Sequence, residues 1–197
     1  MAFKRGRSQG RRTPNGKSDF HSSSDSTEDQ PRLLSPEKME QRARNILLHQ
    51  LGRSAKSSSQ LRKILEEREI PTTIAETVIE RFTEVGLIDD AAYAEVIVNS
   101  RRNIKGLAKS AIKRELATKG LSAEVVEDAI ADLTVEDDLE SAKQLAVRRF
   151  RQLQYLEKAV RHRRLAAFLQ RKGYGSIAVF DAIRFAELQY EEEAQVK

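Results

Sequence analysis

The chain has 197 residues, 39% of them hydrophobic and 33% charged, with no cysteine; this is too polar for one large compact globule and excludes disulfide and thiolate chemistry. The formal net charge is only +5, so the distribution of charge matters more than its sum. No apolar run reaches membrane-span length and the basic N-terminus lacks a signal-peptide core, so a soluble, cytoplasmic protein is expected.

Residues 1–35 read as a disordered tail, poor in apolar residues and rich in Gly, Ser, Arg and Asp. Lys4, Arg5, Arg7, Arg11, Arg12 and Lys17 make its first part basic, and Asp19, Asp25, Glu28 and Asp29 then reverse the sign. The tail is either a solvated extension or a basic arm with nonspecific nucleic-acid affinity.

Ser35-Pro36-Glu37 predicts a helix start, with a capping serine, a proline in the first helical position and a carboxylate at the positive end of the dipole. That helix runs to about Leu51, turns Ala43, Ile46 and Leu47 inward, and ends at Gly52. Ser57 to Ser59 cap a second helix through Leu61 and Leu65. Ile70-Pro71 breaks it, because proline disfavours helical geometry in the residue before it. Thr72 or Thr73 is expected to cap a third helix through Ile74, Val78, Ile79 and Phe82, closed by Gly86. Asp89 or Asp90 opens the next helix, which carries Tyr93, Ala94, Ile97 and Val98 on one face. After Gly106 comes a helix with Ile112 and Leu116, stopped at Lys119-Gly120, then one capped by Ser122 that holds Val126, Ala129 and Ile130. From Val135 a helix carries Leu139, Ala142, Leu145, Ala146 and Phe150. Another runs from about Leu156 to Lys172-Gly173, and the last from Ser176 to about Glu192. Sustained alternation of period two is absent, so no sheet is expected.

One apolar pattern occurs three times. Leu61, Leu65, Ile70, Ala75, Val78 and Ile79 have the same spacing as Ile112, Leu116, Leu121, Val126, Ala129 and Ile130, and as Leu165, Leu169, Tyr174, Val179, Ala182 and Ile183. The fold class predicted is all-α: an elongated array of three tandem three-helix repeats at 36–87, 88–134 and 135–193, each sharing apolar contacts with its neighbour. Such arrays present binding surfaces and seldom enclose catalytic pockets.

No catalytic, cofactor or metal site is expected. His21, His49 and His162 are scattered, and no pair has metal-ligand spacing. Asp89-Asp90 and Asp137-Asp138 sit at predicted helix starts, where capping accounts for them. The aromatics Phe82, Tyr93, Phe150 and Phe168 fall on apolar faces. With no tryptophan and no exposed aromatic series expected, base stacking on single strands has little support.

Charge is segregated more strongly than solvated helix faces require. Glu124 to Glu140 contains eight acids and no base. Arg148, Arg149, Arg151, Lys158, Arg161, Arg163, Arg164, Arg171 and Lys172 then follow with Glu157 as the single acid. A second basic cluster, Arg101, Arg102, Lys105, Lys109, Lys113 and Arg114, lies in the middle repeat. Apart from Lys158 and Arg114, these are the candidate partner-binding residues, facing a polyanion or an acidic protein; arginine's planar fork suits phosphate and carboxylate.

The run Gly86-Leu87-Ile88-Asp89-Asp90-Ala91-Ala92-Tyr93-Ala94, followed by Arg101-Arg102, Lys105-Gly106, Ile112, Glu115-Leu116 and Lys119-Gly120, closely resembles the RecX family of bacterial recombination regulators. Leu169 to Tyr174 is similar to the same family's ending in the third repeat, with Lys172 and Tyr174 departing mildly from its arginine and phenylalanine. The resemblance covers about residues 40–188. It implies a non-enzymatic monomer without cofactor that binds the RecA recombinase filament in its groove. There it would restrain ATP hydrolysis, strand exchange and the coprotease activity that triggers the SOS response. It carries over no catalytic residue, so the contact residues above rest on charge alone. The alternative is a basic helical DNA-binding module that acts on recombination indirectly.

Overall fold

The computed structural model describes residues 35–195, and the predicted tail lies outside the described residues. Nine α-helices and one π-turn form within that span, with no strand among the described residues. The first three helices are α1 (Pro36–Leu51), α2 (Ser58–Glu66) and α3 (Thr72–Glu84). The next three are α4 (Asp90–Asn99), α5 (Lys109–Thr118) and α6 (Ala123–Ala129). The last three are α7 (Val135–Leu153), α8 (Lys158–Arg171) and α9 (Ser176–Gln195). The all-α repeat reading therefore holds.

Most boundaries follow from local capping. The hydroxyls of Ser35, Ser57, Ser122 and Thr134 and the carboxylate of Asp89 accept from orphan amides in the first turns of α1, α2, α6, α7 and α4. Ser57 with Gln60, and Thr134 with Asp137, close reciprocal capping boxes. Two boundaries differ from expectation. Pro71 itself is the N-cap of α3, without a side-chain bond, and Thr72 is already helical; proline's fixed φ brings the chain into the helix and leaves the threonines no capping position. Between α4 and α5 the helix widens into a π-turn at Ser100–Ile104, where the Lys105 amide reaches the Ser100 carbonyl at 3.3 Å. Apolar periodicity gives no hint of this turn.

Each triplet of helices has its own core. Leu47, Leu61, Leu65 and Val78 centre the first, Ile112, Leu116 and Ile130 the second, and Phe150, Leu165, Leu169 and Ala182 the third. Two residues cross the divisions: Ile88, just before α4, is buried in the first core, and Ala108, just before α5, in the third. Burial of these faces supplies most of the stability, because helices of 7–20 residues are marginal alone.

Neighbouring triplets join through the same device twice. At the first junction, Asp90 accepts from the Ser58 amide at 2.8 Å and the Ser58 hydroxyl at 2.6 Å, while the Ser57 hydroxyl donates to the Lys119 carbonyl at 2.6 Å. At the second, Asp138 accepts from the Lys109 amide at 3.2 Å, the Ala108 amide donates to the Lys172 carbonyl at 3.0 Å, and the Ser110 hydroxyl to the Gly173 carbonyl at 2.7 Å. In both, an aspartate of one triplet satisfies the first amide of the preceding triplet's middle helix. The glycine-terminated end of its own middle helix packs against the start of that same helix.

The glycines are required there. Gly120 and Gly173 adopt positive φ, 77° and 92°. A Cβ on Gly120 would lie 2.2 Å from the Ser59 hydroxyl oxygen, and one on Gly173 would lie 2.6 Å from the Ala111 Cβ. The matching residue of the first triplet is Glu69, also left-handed with φ 59°. Among the described residues no preceding triplet packs against it and Glu69 is exposed, so a side chain is sterically tolerated at the cost of strain.

Candidate functional site

No group of three or more His, Asp or Glu side chains among the described residues is placed to hold a metal, and no described helix is long and apolar enough to cross a membrane. The features that remain are the basic residues and the clefts at the two junctions.

The structure divides the predicted contact residues. Arg101 is clamped bidentately by Glu115, at 2.7 and 2.6 Å; the arginine hydrogen bonds hold the Glu115 carboxyl below the usual carboxylate range. Arg102, its side chain only 12% exposed, pairs with Asp138. Lys109 donates its ammonium to the Leu133 carbonyl at 2.8 Å, in the connection between α6 and α7. Arg161 lies 4.5 Å over the Phe150 ring, donates to the Leu156 carbonyl at 3.1 Å and faces Glu187. These four side chains all have intramolecular partners. Lys113 with Glu127 and Arg151 with Glu193 form exposed ion pairs, which contribute little to stability.

Lys105, Arg148, Arg163, Arg164 and Arg171 are exposed and have no ion-pair or side-chain hydrogen-bond partner among the described residues. Arg149 bonds Gln152 at 2.6 Å and lies 5.7 Å from the Phe168 ring centre. Lys172 donates to the Lys105 carbonyl; burial and then the Lys105 charge lower its pKa. Lys105, Arg148 and Lys172 line one cleft of about 350 Å³ at the second junction, with Arg102 behind them. The basic blocks of the middle and last repeats thus meet at this point, 67 positions apart in sequence for Lys105 and Lys172.

Sequence reasoning missed two kinds of residue. Capping explains Asp89 and Asp137, but Asp90 and Asp138 hold the junctions together. The signal was the doubling itself, since one aspartate is enough for a cap. The second miss is on α9, where Phe180 is 65% exposed and Ile177, Phe185 and Leu188 are also exposed. The helix buries only the stripe Val179, Ala182, Ile183 and Ala186. Apolar residues flank that stripe on both sides, so periodicity alone does not separate core from surface.

Comparison with known proteins agrees with this architecture. Models of the RecX first, second and third three-helix domains match residues 43–82, 89–130 and 136–183 in that order. The chain belongs to the RecX family. A protein named Regulatory protein RecX from Streptomyces coelicolor is 41% identical over 146 residues, covering 74% of this chain and 78% of that protein. One of the same name from Thermobifida fusca is 38% identical over 149 residues, covering 76% and 80%, and one from Mycolicibacterium smegmatis is 36% identical over 162 residues, covering 80% and 86%. The crystal structure of RecX from Lactobacillus salivarius shares the fold, with a TM-score of 0.67 at 20% identity, over 77% of this chain and 99% of that one. A second RecX crystal structure aligns with a TM-score of 0.63 at 27% identity, over 76% and 73%. Within the RecX pattern, Arg101 and Glu115 are each other's partners and Tyr174 is a core residue. Burial pushes the Tyr174 phenol up to about 12, and its hydroxyl donates to the Gly106 carbonyl at 3.2 Å.

Proposed function

We propose that this RecX-family chain is a non-enzymatic cytoplasmic regulator that binds the RecA recombinase filament on DNA as a monomer. It would mainly inhibit filament ATP hydrolysis, strand exchange and SOS coprotease activity. Family membership across all three repeats carries this reading. The physical support is the twice-used junction. It fixes three units, which we place at 36–87, 88–134 and 135–193, in a defined order through backbone-directed bonds. A track of fixed units engages several protomers of a filament at once, so weak contacts add and isolated protomers bind poorly. The contact surface is assigned to the uncompensated cations Lys105, Arg148, Arg163, Arg164 and Arg171, with Arg149 and Lys172 beside them.

Charge reversal tests the assignment. Arg163→Glu with Arg164→Glu should weaken inhibition of filament ATPase at least tenfold while leaving helix content unchanged; unchanged inhibition would show that the surface is elsewhere. Equal affinity for bare DNA and for the filament, with the same salt dependence, would instead favour a DNA-binding module acting indirectly.

A further inference from the structure

The two junctions enclose equivalent clefts with opposite chemistry. When the buried residues of α4 and α7 are superposed in register, Ala94 and Val98 against Ala142 and Ala146, Tyr93 corresponds to Ser141 and Val96 to Gln144. In the repeat register of Leu61 and Ile112, Leu51 corresponds to Arg102 and Ser54 to Lys105. The first cleft, of about 570 Å³, is lined by Leu48, Leu51, Leu87 and Val96. The second, of about 350 Å³, presents Lys105, Arg148 and Lys172, with Asn103, Ser141 and Gln144 and the apolar Ile104, Leu145 and Phe168 around them. The same backbone scaffold thus carries an apolar surface in one place and a cationic one in the other, so the charge is not a requirement of the fold.

The second cleft keeps like charges together without compensation. Arg102 is neutralised by Asp138, but no carboxylate is among the residues lining the cleft. The Lys172 ammonium is fixed against the Lys105 carbonyl, in reach of the Lys105 charge. Such an arrangement gains stability from a bound anion. The three cations come from three separate segments: the residue after the π-turn, α7, and the C-cap of α8. Charges converging from separate directions match the tetrahedral oxygens of a phosphate. A peptide carboxylate is better read by one in-plane fork.

We propose that the cleft between the second and third repeats is a phosphate-binding site that takes a backbone phosphate of single-stranded nucleic acid, held by Lys105, Arg148 and Lys172. The site acts without the recombinase and so goes beyond the regulatory reading above.

The test uses the full chain alone and a fluorescein-labelled oligothymidylate, with affinity measured across a salt series. Lys105→Gln with Arg148→Gln should weaken binding at least tenfold. The slope of log affinity against log salt should become shallower by about 0.7, the loss of one phosphate contact. Arg53→Gln with Lys63→Gln makes the same change in net charge on exposed residues of the first repeat and should weaken binding less than threefold. Lys105→Arg should retain it. Neither Lys105 nor Arg148 has a side-chain partner among the described residues, so the fold does not depend on them, and thermal unfolding of each variant checks this. Tripolyphosphate should raise the unfolding temperature of the wild type and not of the cleft variant. Equal losses in the two double variants would overturn the proposal by showing diffuse attraction. So would a cleft variant that loses polyglutamate binding while keeping the oligonucleotide. Because no recombinase is present, either failure leaves the filament reading untouched.

Discussion

Both oxygens of the Asp138 carboxylate lie 3.2 Å from the backbone nitrogen of Lys109, the first residue of α5. The helix has no side-chain cap of its own, since Ala108 occupies that position. An aspartate from the next repeat therefore does the capping, and the junction cannot open without exposing an orphan amide. Asp138→Asn also removes the half-buried partner of Arg102 and should lower stability by about 2–4 kcal/mol. Asp90→Asn, at the equivalent position without an ion pair, should cost about 1–2 kcal/mol. Urea denaturation at neutral pH gives the order of the two directly.

Three left-handed positions separate two effects of a side chain. Gly86, with φ 71°, has open space where a Cβ would stand, so Gly86→Ala should cost about 1 kcal/mol from conformation alone. Gly173→Ala adds a collision with Ala111 across the junction and should cost at least twice that. Glu69→Gly relieves strain at an exposed position and should raise stability by about 0.5–1 kcal/mol. Thermal unfolding of the three variants tests the ranking.

Acid should weaken the middle repeat. The bidentate Arg101 bonds hold the folded Glu115 pKa below its ordinary value of 4.5. A group with a depressed folded pKa stabilises above its unfolded pKa, and that contribution disappears as pH falls through the folded value. Glu115→Gln should therefore be less stable than the wild type at pH 7, and the gap should narrow below pH 4.5. Urea midpoints measured between pH 7 and pH 3 decide this.

Arg161 and its neighbours should behave differently. Arg161→Ala loses the contact over Phe150 and the bond to the Leu156 carbonyl, and should destabilise by about 1–2 kcal/mol. At temperatures where it stays folded, its inhibition of filament ATPase should match the wild type. Arg163→Glu with Arg164→Glu should show the reverse: wild-type unfolding and weakened inhibition.

Much of this architecture is written in short-range patterns. Ser35, Ser57, Asp89, Ser122 and Gly120 mark helix ends because capping is a matter of a few neighbouring residues. The threefold spacing from Leu61 to Ile183 marks the inward faces, because burial follows the helical period. Both signals work only where a residue has a single structural demand on it. Arg102 looks like a surface cation in sequence because its partner, Asp138, is 36 positions away. Phe180 was silent because apolar residues lie on more than one side of α9.

The sequence by itself therefore determined the helices, their order and their threefold repetition, since these depend on local hydrogen bonding and on a periodicity visible in one chain. Tertiary structure decided which charges are free. An ion pair depends on two side chains meeting in space, and the meeting of Arg102 with Asp138, or of Lys172 with Lys105, is set by how one repeat seats on the next. That seating brings two separate basic blocks into one cleft and sets Arg102, paired with Asp138, behind it.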